Sequence, residues 1–143
     1  MLTGHLALTL AALFAGAAVI INVAEQPARL ALDDREMLLQ WQRSYNHAAP
    51  MQAGLAVVSA LLGFIAAWQT RDWRFAAGAI LILANWPYTL LVIKPVNDRL
   101  HAIPAGQASA DARAMVVSWG QLHAGRSALG IAAVLVYLWA VLG

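Results

Sequence analysis

The chain has 143 residues, of which 62% are hydrophobic and only 11% are charged. Soluble domains average about 45–50% apolar and about 25% charged residues, so this composition excludes a water-soluble enzyme. The absence of cysteine excludes disulfides and thiol chemistry, and a net charge of only +2 argues against nucleic-acid binding.

Four long segments contain no Lys, Arg, Asp or Glu, and they cover residues 1–24, 44–70, 75–93 and 127–143. A helix that crosses a bilayer needs about 20 mostly apolar residues, so each segment predicts one spanning helix. The fourth segment needs residues that precede it. We therefore predict an all-α fold in one domain, an integral membrane, antiparallel four-helix bundle with helices at about 4–23, 50–68, 75–94 and 117–142. The lipid bilayer is the expected partner, and a homo-oligomer is left open.

The connecting segments predict how the helices follow one another. Residues 33–45 predict a short amphipathic segment between helices 1 and 2. Pro50 suits the first turn of the second helix, and the tight turn at residues 69–74 returns the third helix antiparallel to it. Pro87 predicts a kink in the third helix, and residues 94–112, with two prolines and a glycine, predict a loop.

Polar side chains of the predicted helices gather in one half of the bilayer, which we call side B. Side B holds the ends of helices 1 and 3 and the starts of helices 2 and 4, while side A holds the N-terminus and the tight turn. The side-B residues are Asn22, Glu25, Gln52, Asn85, Asn97, Trp119, His123 and Arg126. Side B also carries six Lys and Arg residues against two in the side-A turn, which predicts that side B faces the cytoplasm. The expected location is a bacterial inner membrane.

His123 and Arg126 are the main candidates for chemistry. Three residues apart on a helix, they share a face, with Trp119 one turn earlier. An Arg inside a membrane is costly unless it is paired, and therefore indicates a functional site. Glu25 is the expected counter-charge of Arg126. A purely structural Glu25–Arg126 ion pair stays open as the alternative to a substrate site.

Other polar and aromatic residues have structural alternatives. Asn85 either binds substrate or bonds to the carbonyl of Leu83, which Pro87 leaves without its usual donor. Asn97 either binds substrate or caps the end of the third helix. The tryptophans that fit an interfacial aromatic belt are Trp41, Trp68, Trp73 and Trp139.

The sequence lacks a recognisable metal motif. Glu25, His47 and His123 could supply ligands, with Asn22 or Asn97 as further oxygen donors. No helix, however, carries the Glu-x-x-His spacing of di-iron bundles. We therefore predict no cofactor, with a metal at these residues or a haem on His123 as alternatives.

Four stretches of the sequence resemble one known family: NVAEQPARL (22–30), SYNHAAPMQA (44–53), LANWPYTLLVIKPVNDRL (83–100) and WGQLHAGRSALG (119–130). The chain resembles the DUF1772, or anthrone-oxygenase-like, family of small four-helix membrane proteins over nearly its whole length. The resemblance implies a compact four-helix bundle and, from some fungal and bacterial relatives, oxidation of anthrones to anthraquinones without a conventional cofactor. The positions that match the family pattern are Glu25, Pro27, Gln52, Asn85, Pro87, Asn97, Trp119, His123 and Arg126. Gln26 departs from it, since the family favours His there.

The leading hypothesis is a membrane oxygenase or oxidase that acts on a lipophilic phenol or related aromatic. Such a reaction needs a base that removes a proton and a positive charge that holds the resulting anion while O₂ takes an electron. We assign the base to His123 and the anion holder to Arg126, with Glu25 orienting either of them. Substrate binding is assigned to Asn22, Gln52, Asn85, Asn97 and Trp119, the last by stacking. The alternatives are a small four-helix transporter or binding protein with Glu25 as its coupling carboxylate, and a structural subunit.

Overall fold

The structure is a computed structural model that describes residues 1–143 and contains four long helices. Helix α1 spans Leu2–Leu30, α2 spans Asp34–Thr70, α3 spans Trp73–Ala102 and α4 spans Ala110–Leu142. A single turn of 3₁₀-helix lies between α3 and α4. Each of the four helices is long and apolar enough to cross a membrane, which supports an integral membrane protein. The prediction of an all-α four-helix fold is confirmed.

The bundle has a tightly packed half and a more open half. Helix α1 packs against α2 and α4, and α3 packs against the same two helices, so α1 and α3 lie diagonally opposite each other. In the half nearer side A, alanines from all four helices surround Phe14, Phe75 and Tyr137. In the half nearer side B, the core is built from larger residues around Trp41 and Trp119. Small side chains let helix backbones approach closely, and the larger ones hold them apart.

Helix α1 is longer than predicted. Its predicted end, Val23, lies inside a wide π-helical turn at Ile21–Glu25, and the helix continues through Pro27 to Leu30. The proline is tolerated because it occupies the start of the next α-helical stretch, where the lack of an N–H removes few backbone hydrogen bonds. Sequence periodicity does not register the extra residue of a π turn, which is why the predicted end came too early.

Helix α2 is also longer, because the predicted amphipathic segment is its first part. Residues 33–45 do not form a separate element, and α2 runs without interruption from Asp34. The side chain of Asp33 caps this start by accepting a hydrogen bond from the backbone N–H of Glu36 at 2.9 Å. Pro50 was placed in the first turn by prediction, but it lies in the helix interior.

Most of the predicted loop at residues 94–112 is helical. Helix α3 passes through a second π turn, Thr89–Ile93, and continues to Ala102, and α4 already begins at Ala110. The break in α3 falls at Ala84 rather than at Pro87 itself. This placement is expected, because a proline ring clashes with the carbonyl four residues before it.

Three of the four predicted belt tryptophans mark the side-A edge. Trp68, Trp73 and Trp139 are all exposed there, and the rings of Trp73 and Trp139 meet edge to face at 5.7 Å. The prediction for Trp41 is wrong. Its ring is fully buried among other aromatic rings of the side-B half.

Arg113 joins the beginning of α4 to the turn between α1 and α2. Its guanidinium donates to Asp34 Oδ1 at 2.6 Å. It also donates to the carbonyls of Leu30 and Leu32 at 2.8 and 2.6 Å. The carbonyls at the end of a helix have no N–H partner within it, so Arg113 satisfies them and fixes the side-B end of the bundle.

Close packing in the side-A half generates a stability prediction. A Cβ at Gly63 would overlap the hydroxyl of Tyr137, which donates to the carbonyl of Ser59 at 3.2 Å. We expect Gly63→Ala to lower the free energy of unfolding by about 1–3 kcal/mol, the usual cost of overpacking. Gly16→Ala is the matched control, because nothing lies within 4 Å of its added methyl group. Thermal unfolding in detergent measures both, and equal melting temperatures would contradict the close contact.

Candidate active site

Asn22 of α1 orients His123 of α4. The amide nitrogen of Asn22 donates to the carbonyl of Gly120 at 2.9 Å, and because a carbonyl only accepts, the amide oxygen must face His123. That oxygen lies 2.9 Å from His123 Nδ1 and also accepts a bond from the Ser127 hydroxyl at 2.8 Å. Nδ1 is therefore the donor, and a neutral imidazole then carries its lone pair on Nε2. Nε2 makes no hydrogen bond within the chain, so its lone pair is free to accept one.

Arg126 is a buried cation without a partner. The residue is only 7% exposed, yet its guanidinium forms no ion pair and no hydrogen bond, and its Nε is fully buried. Its cationic carbon lies 5.5 Å from the centre of the Phe14 ring. An unpaired charge in apolar surroundings is destabilising, so this guanidinium is set to bind an anionic or strongly polar ligand atom.

Glu25 pairs with Arg29, and the predicted Glu25–Arg126 ion pair is wrong. The Arg29 guanidinium donates to Glu25 Oε2 at 2.7 Å, and the Ser44 hydroxyl donates to the same oxygen at 2.8 Å. The reason is that α1 continues past Glu25 and supplies its own cation one turn later. Arg29 is 2% exposed and lies 5.4 Å from the centre of the Trp119 ring. Sequence reasoning counted it among loop charges, although its spacing of four from Glu25 was the available signal.

Gln26, where the chain departs from the resemblance, connects α1 to α4. Its side-chain nitrogen donates to the carbonyl of Val116 at 2.8 Å. Its side chain lies so close to Gly120 that a Cβ there would collide with it. Its oxygen accepts a bond from Arg29 at 3.3 Å. This glutamine therefore has a structural role beside the site.

Asn97 links Trp119 to Tyr45, a residue that sequence reasoning missed. The indole N–H of Trp119 donates to Asn97 Oδ1 at 2.8 Å, and because an indole only donates, the amide nitrogen must face Tyr45. That nitrogen donates to the Tyr45 oxygen at 2.9 Å. The hydroxyl oxygen of Tyr45 is thus an acceptor here, and its own proton is left to donate elsewhere. Asn97 is buried within α3, so its alternative reading as a helix cap is wrong.

Two cavities meet beside Arg126. The inner cavity has a volume of about 20 Å³, enough for a single water-sized molecule, which needs roughly 10–15 Å³. The outer cavity has a volume of about 250 Å³. Tyr45, Ala49 and Arg126 line both. The other residues of the inner cavity are Ile21, Arg29, Trp41, Ser44, Ala48, Gln52, Trp119 and His123. Those of the outer cavity are Pro50, Ala53, Ala56, Asn85, Trp86, Thr89 and Leu90.

Unpartnered polar atoms concentrate at these two cavities. Both amide atoms of Gln52, the Oδ1 of Asn85 and the hydroxyl of Thr89 are buried without a hydrogen-bond partner. Only the amide nitrogen of Asn85 has a partner. It donates to the carbonyl of Ile82 at 3.1 Å, and not to that of Leu83 as predicted. Each unsatisfied buried polar group costs about 1–3 kcal/mol. Their concentration therefore indicates a place where a ligand supplies the missing partners.

The predicted site residues take two kinds of position. Gln52, Trp119, His123 and Arg126 line the inner cavity, and Asn85 lines the outer one. Asn22 and Asn97 line neither, and instead hold His123 and Trp119. The ring of Trp119 packs against His123 at 4.9 Å and does not reach the outer cavity.

Glu25 and His47 line one open groove, but His123 lies apart from them, so the candidate metal ligands do not form one cluster. His47 is exposed, and its ring bonds to the backbone carbonyl of Arg43 at 2.8 Å. Glu25 is held by Arg29 and Ser44, and His123 by Asn22. No group of three or more His, Asp or Glu side chains in the chain has the arrangement of a metal site.

Comparison with known proteins gives the family. The family model described as anthrone oxygenase matches residues 41–136, which is about two thirds of the chain. The chain belongs to the anthrone oxygenase family. The matched region contains six of the predicted site residues: Gln52, Asn85, Asn97, Trp119, His123 and Arg126. No solved structure matches the chain.

Curated members of the anthrone oxygenase family are similar over most of their length. An anthrone oxygenase of Cryptosporiopsis sp. is 30% identical over 125 residues, covering 82% of this chain and 73% of the relative. An anthrone oxygenase of Aspergillus fumigatus is 32% identical over 117 residues, covering 76% of this chain and 68% of the relative. One from Claviceps purpurea is 34% identical over 106 residues, covering 65% of this chain and 60% of the relative.

The contrast between the two buried arginines generates a stability prediction. We expect Arg126→Met to melt at or above the temperature of the unaltered chain, because it removes an unpaired charge and keeps a side chain of similar length. Arg29→Met should instead lower the free energy of unfolding by about 1.5–3 kcal/mol, because Glu25 loses a charged hydrogen bond. Thermal melting of both variants in one detergent decides it. A large loss of stability in Arg126→Met would show that the guanidinium has a partner in the bundle.

Proposed function

We propose that this protein is an integral membrane oxygenase that uses O₂ to oxidise a lipophilic aromatic substrate of the anthrone type. The observation that carries the proposal is the position of a base and an unpartnered cation beside the same cavity, His123 with its free Nε2 and Arg126 with no counter-ion. The names of the curated relatives support the reaction class. We extend it to this chain because these two residues supply what such an oxidation requires.

The proposed reaction converts the CH₂ group of an anthrone into a ketone. A base removes one proton from this carbon, and the negative charge is shared with the oxygen of the existing carbonyl. The carbon then combines with O₂, and the resulting peroxide anion takes the proton back from the base to form a hydroperoxide. Loss of the second proton from the same carbon, with cleavage of the O–O bond, gives the ketone and one water. The substrate thus supplies four electrons, and O₂ supplies one oxygen to the ketone and one to water.

In this reaction Arg126 holds the anion. Its guanidinium lies where the inner and outer cavities meet, so an oxygen placed there contacts a charge that no residue of the chain neutralises. Tyr45 lines the same junction. Its hydroxyl oxygen accepts the hydrogen bond from Asn97, so its hydroxyl proton is free to donate to the substrate oxygen. Two donors fixed before the charge develops stabilise the anion without having to reorganise.

His123 takes the proton by way of the inner cavity. The residue lines the inner cavity and not the outer one, so a substrate in the outer cavity transfers its proton through one intervening water. The inner cavity has room for such a water, and the unpartnered amide of Gln52 can hydrogen-bond to it. Asn22 keeps Nδ1 protonated, so Nε2 receives the proton.

The proposal includes the membrane and its orientation. The four spans support membrane embedding, and the excess of Lys and Arg favours a cytoplasmic side B. The relatives named above are fungal, so they lend no support to the bacterial inner membrane expected from the sequence. Nothing favours the transporter alternative, because Glu25 is held in an ion pair at the end of a membrane span.

Oxygen consumption tests the proposed reaction. Purified protein supplied with anthrone should consume O₂ and form anthraquinone. His123→Ala and Arg126→Met should each reduce the rate by about 10²–10³-fold, because each removes one catalytic interaction. His47→Ala is the control, since this histidine is exposed and lines neither cavity. Unchanged rates in folded His123→Ala and Arg126→Met proteins would remove the assignment.

Two tyrosines test the role of the free hydroxyl proton. Tyr45→Phe should lower the turnover rate by about 10²-fold, because the anion loses a fixed donor. Tyr88→Phe also removes one half-buried hydroxyl, which donates to the carbonyl of Leu122 at 2.7 Å, but it should change only stability. Steady-state kinetics beside melting temperatures separates the two effects. Equal turnover in the two variants would argue against a catalytic Tyr45.

A further inference from the structure

We infer that the outer cavity is a binding site for a planar aromatic ketone or phenol, and that this ligand enters sideways from the hydrocarbon layer between α2 and α3. The class of ligand rests on the proposed function. The entry route and the position of the rings rest on the shape, depth and chemistry of the cavity, and they can be tested by binding alone.

The gap between α2 and α3 has a cause in the sequence. The α2 wall includes Ala49, Ala53 and Ala56, whose spacings of four and three put small side chains on one face, beside Tyr45 and Pro50. The facing helix α3 is interrupted at Ala84 and widened by the π turn at Thr89–Ile93. Small residues opposite a distorted helix leave a space that regular packing would have filled.

The outer cavity lies at the depth of the lipid chains. Trp68 and Trp73 mark the side-A edge of the bundle. Ala53 lies 15 residues before Trp68 on α2, roughly 22 Å away along the helix. Trp86 lies 13 residues after Trp73 on α3, roughly 20 Å away. Both distances are shorter than the ~30 Å hydrocarbon core, so an opening between these helices faces lipid chains rather than water.

The rim of the outer cavity is apolar and exposed. Trp86 and Leu90 are 44% and 52% exposed, and Pro50 on the opposite helix is exposed as well. A molecule dissolved in the bilayer therefore meets the cavity without crossing a polar surface. An aromatic ligand also gains ring contacts with the indole of Trp86.

The far end of the cavity selects for an oxygen. Asn85 Oδ1, the hydroxyl of Thr89 and Nε of Arg126 are buried there without partners. The last two can donate to a carbonyl or hydroxyl oxygen of a ligand, and Asn85 Oδ1 can accept from a ligand hydroxyl. A lipid acyl chain would fill the apolar part but would leave these atoms and the guanidinium unsatisfied. A ring system with a carbonyl or hydroxyl at one end fills the same space and bonds to Arg126. The chemistry at the two ends thus favours an aromatic ketone or phenol over a lipid tail.

Photo-crosslinking on the unaltered protein tests the site without any mutation. The probe is 4-hydroxybenzophenone, a phenol whose diaryl ketone inserts into nearby C–H bonds on irradiation. With the protein in lipid nanodiscs, mass spectrometry should find crosslinks concentrated in residues 49–56 and 85–90, and excess anthraquinone should abolish them. Crosslinks spread over lipid-facing positions such as Leu13 and Leu135, or unaffected by anthraquinone, would overturn the inference.

Filling the cavity gives a second test. Ala53→Trp should weaken anthraquinone binding by at least about tenfold, whereas Ala12→Trp, on the exposed face of α1, should leave it unchanged. Unaltered affinity in an Ala53→Trp protein with normal melting would also overturn the inference. If this variant does not fold, the crosslinking result decides.

The outcomes separate this inference from the proposed function. Competed crosslinks at the cavity without anthrone-dependent O₂ uptake would support the binding site and refute the oxygenase. O₂ uptake with crosslinks elsewhere would do the reverse.

Discussion

A guanidinium enclosed by an apolar bundle without a counter-ion is the constraint on which the side-B half of this protein depends. Around Arg126 the chain could have supplied a carboxylate, and Glu25 stands at a suitable end of α1 to do so. It is instead committed to Arg29 and Ser44. Under the proposed function, Arg126 meets its counter-charge only when the substrate anion forms beside it.

The tightly packed side-A half offsets this instability. There Ser59 donates to the carbonyl of Ala7 at 2.8 Å and its own carbonyl accepts from Tyr137, so three helices are joined through one small residue. The side-B half is less densely packed and contains two cavities and several unpaired polar atoms. Proteins commonly accept lower stability at functional sites, and here the two tendencies occupy opposite ends of the same four helices.

The sequence carries much of this picture, because the physics that decides it is periodic or compositional. Uncharged segments predict the spans, and counting helix directions places Asn22, Gln52, His123 and Arg126 at the same end. The pairing of side chains is a different matter. Whether Glu25 meets Arg29 or Arg126 depends on where α1 ends, and that end lies beyond a π turn that hydrophobic patterning does not detect. Trp41 was wrongly assigned to the aromatic belt, and Tyr45 was missed, for a related reason. No local sequence feature shows that α2 begins at Asp34 and therefore covers the site. The cavities depend on three helices at once, and no single stretch of sequence describes them.

The two π turns have a consequence for how this fold tolerates insertions and deletions. Each turn holds one residue more than a regular helical turn, and each precedes side chains that pack in the side-B half, Gln26 and Arg29 in α1 and Asn97 in α3. Removing one residue from Ile21–Glu25 would restore a regular α-helical turn and leave the angle of the following residues nearly unchanged, because the wide turn absorbs the extra residue. Gln26 and Arg29 would still face α4, whereas a one-residue deletion in a regular stretch of α1 would rotate them away by about 100°. A one-residue deletion at these turns should therefore disturb the site less than the same deletion elsewhere in α1 or α3. The same deletion made in a loop, such as residues 103–109, would leave the phase of every helix unchanged.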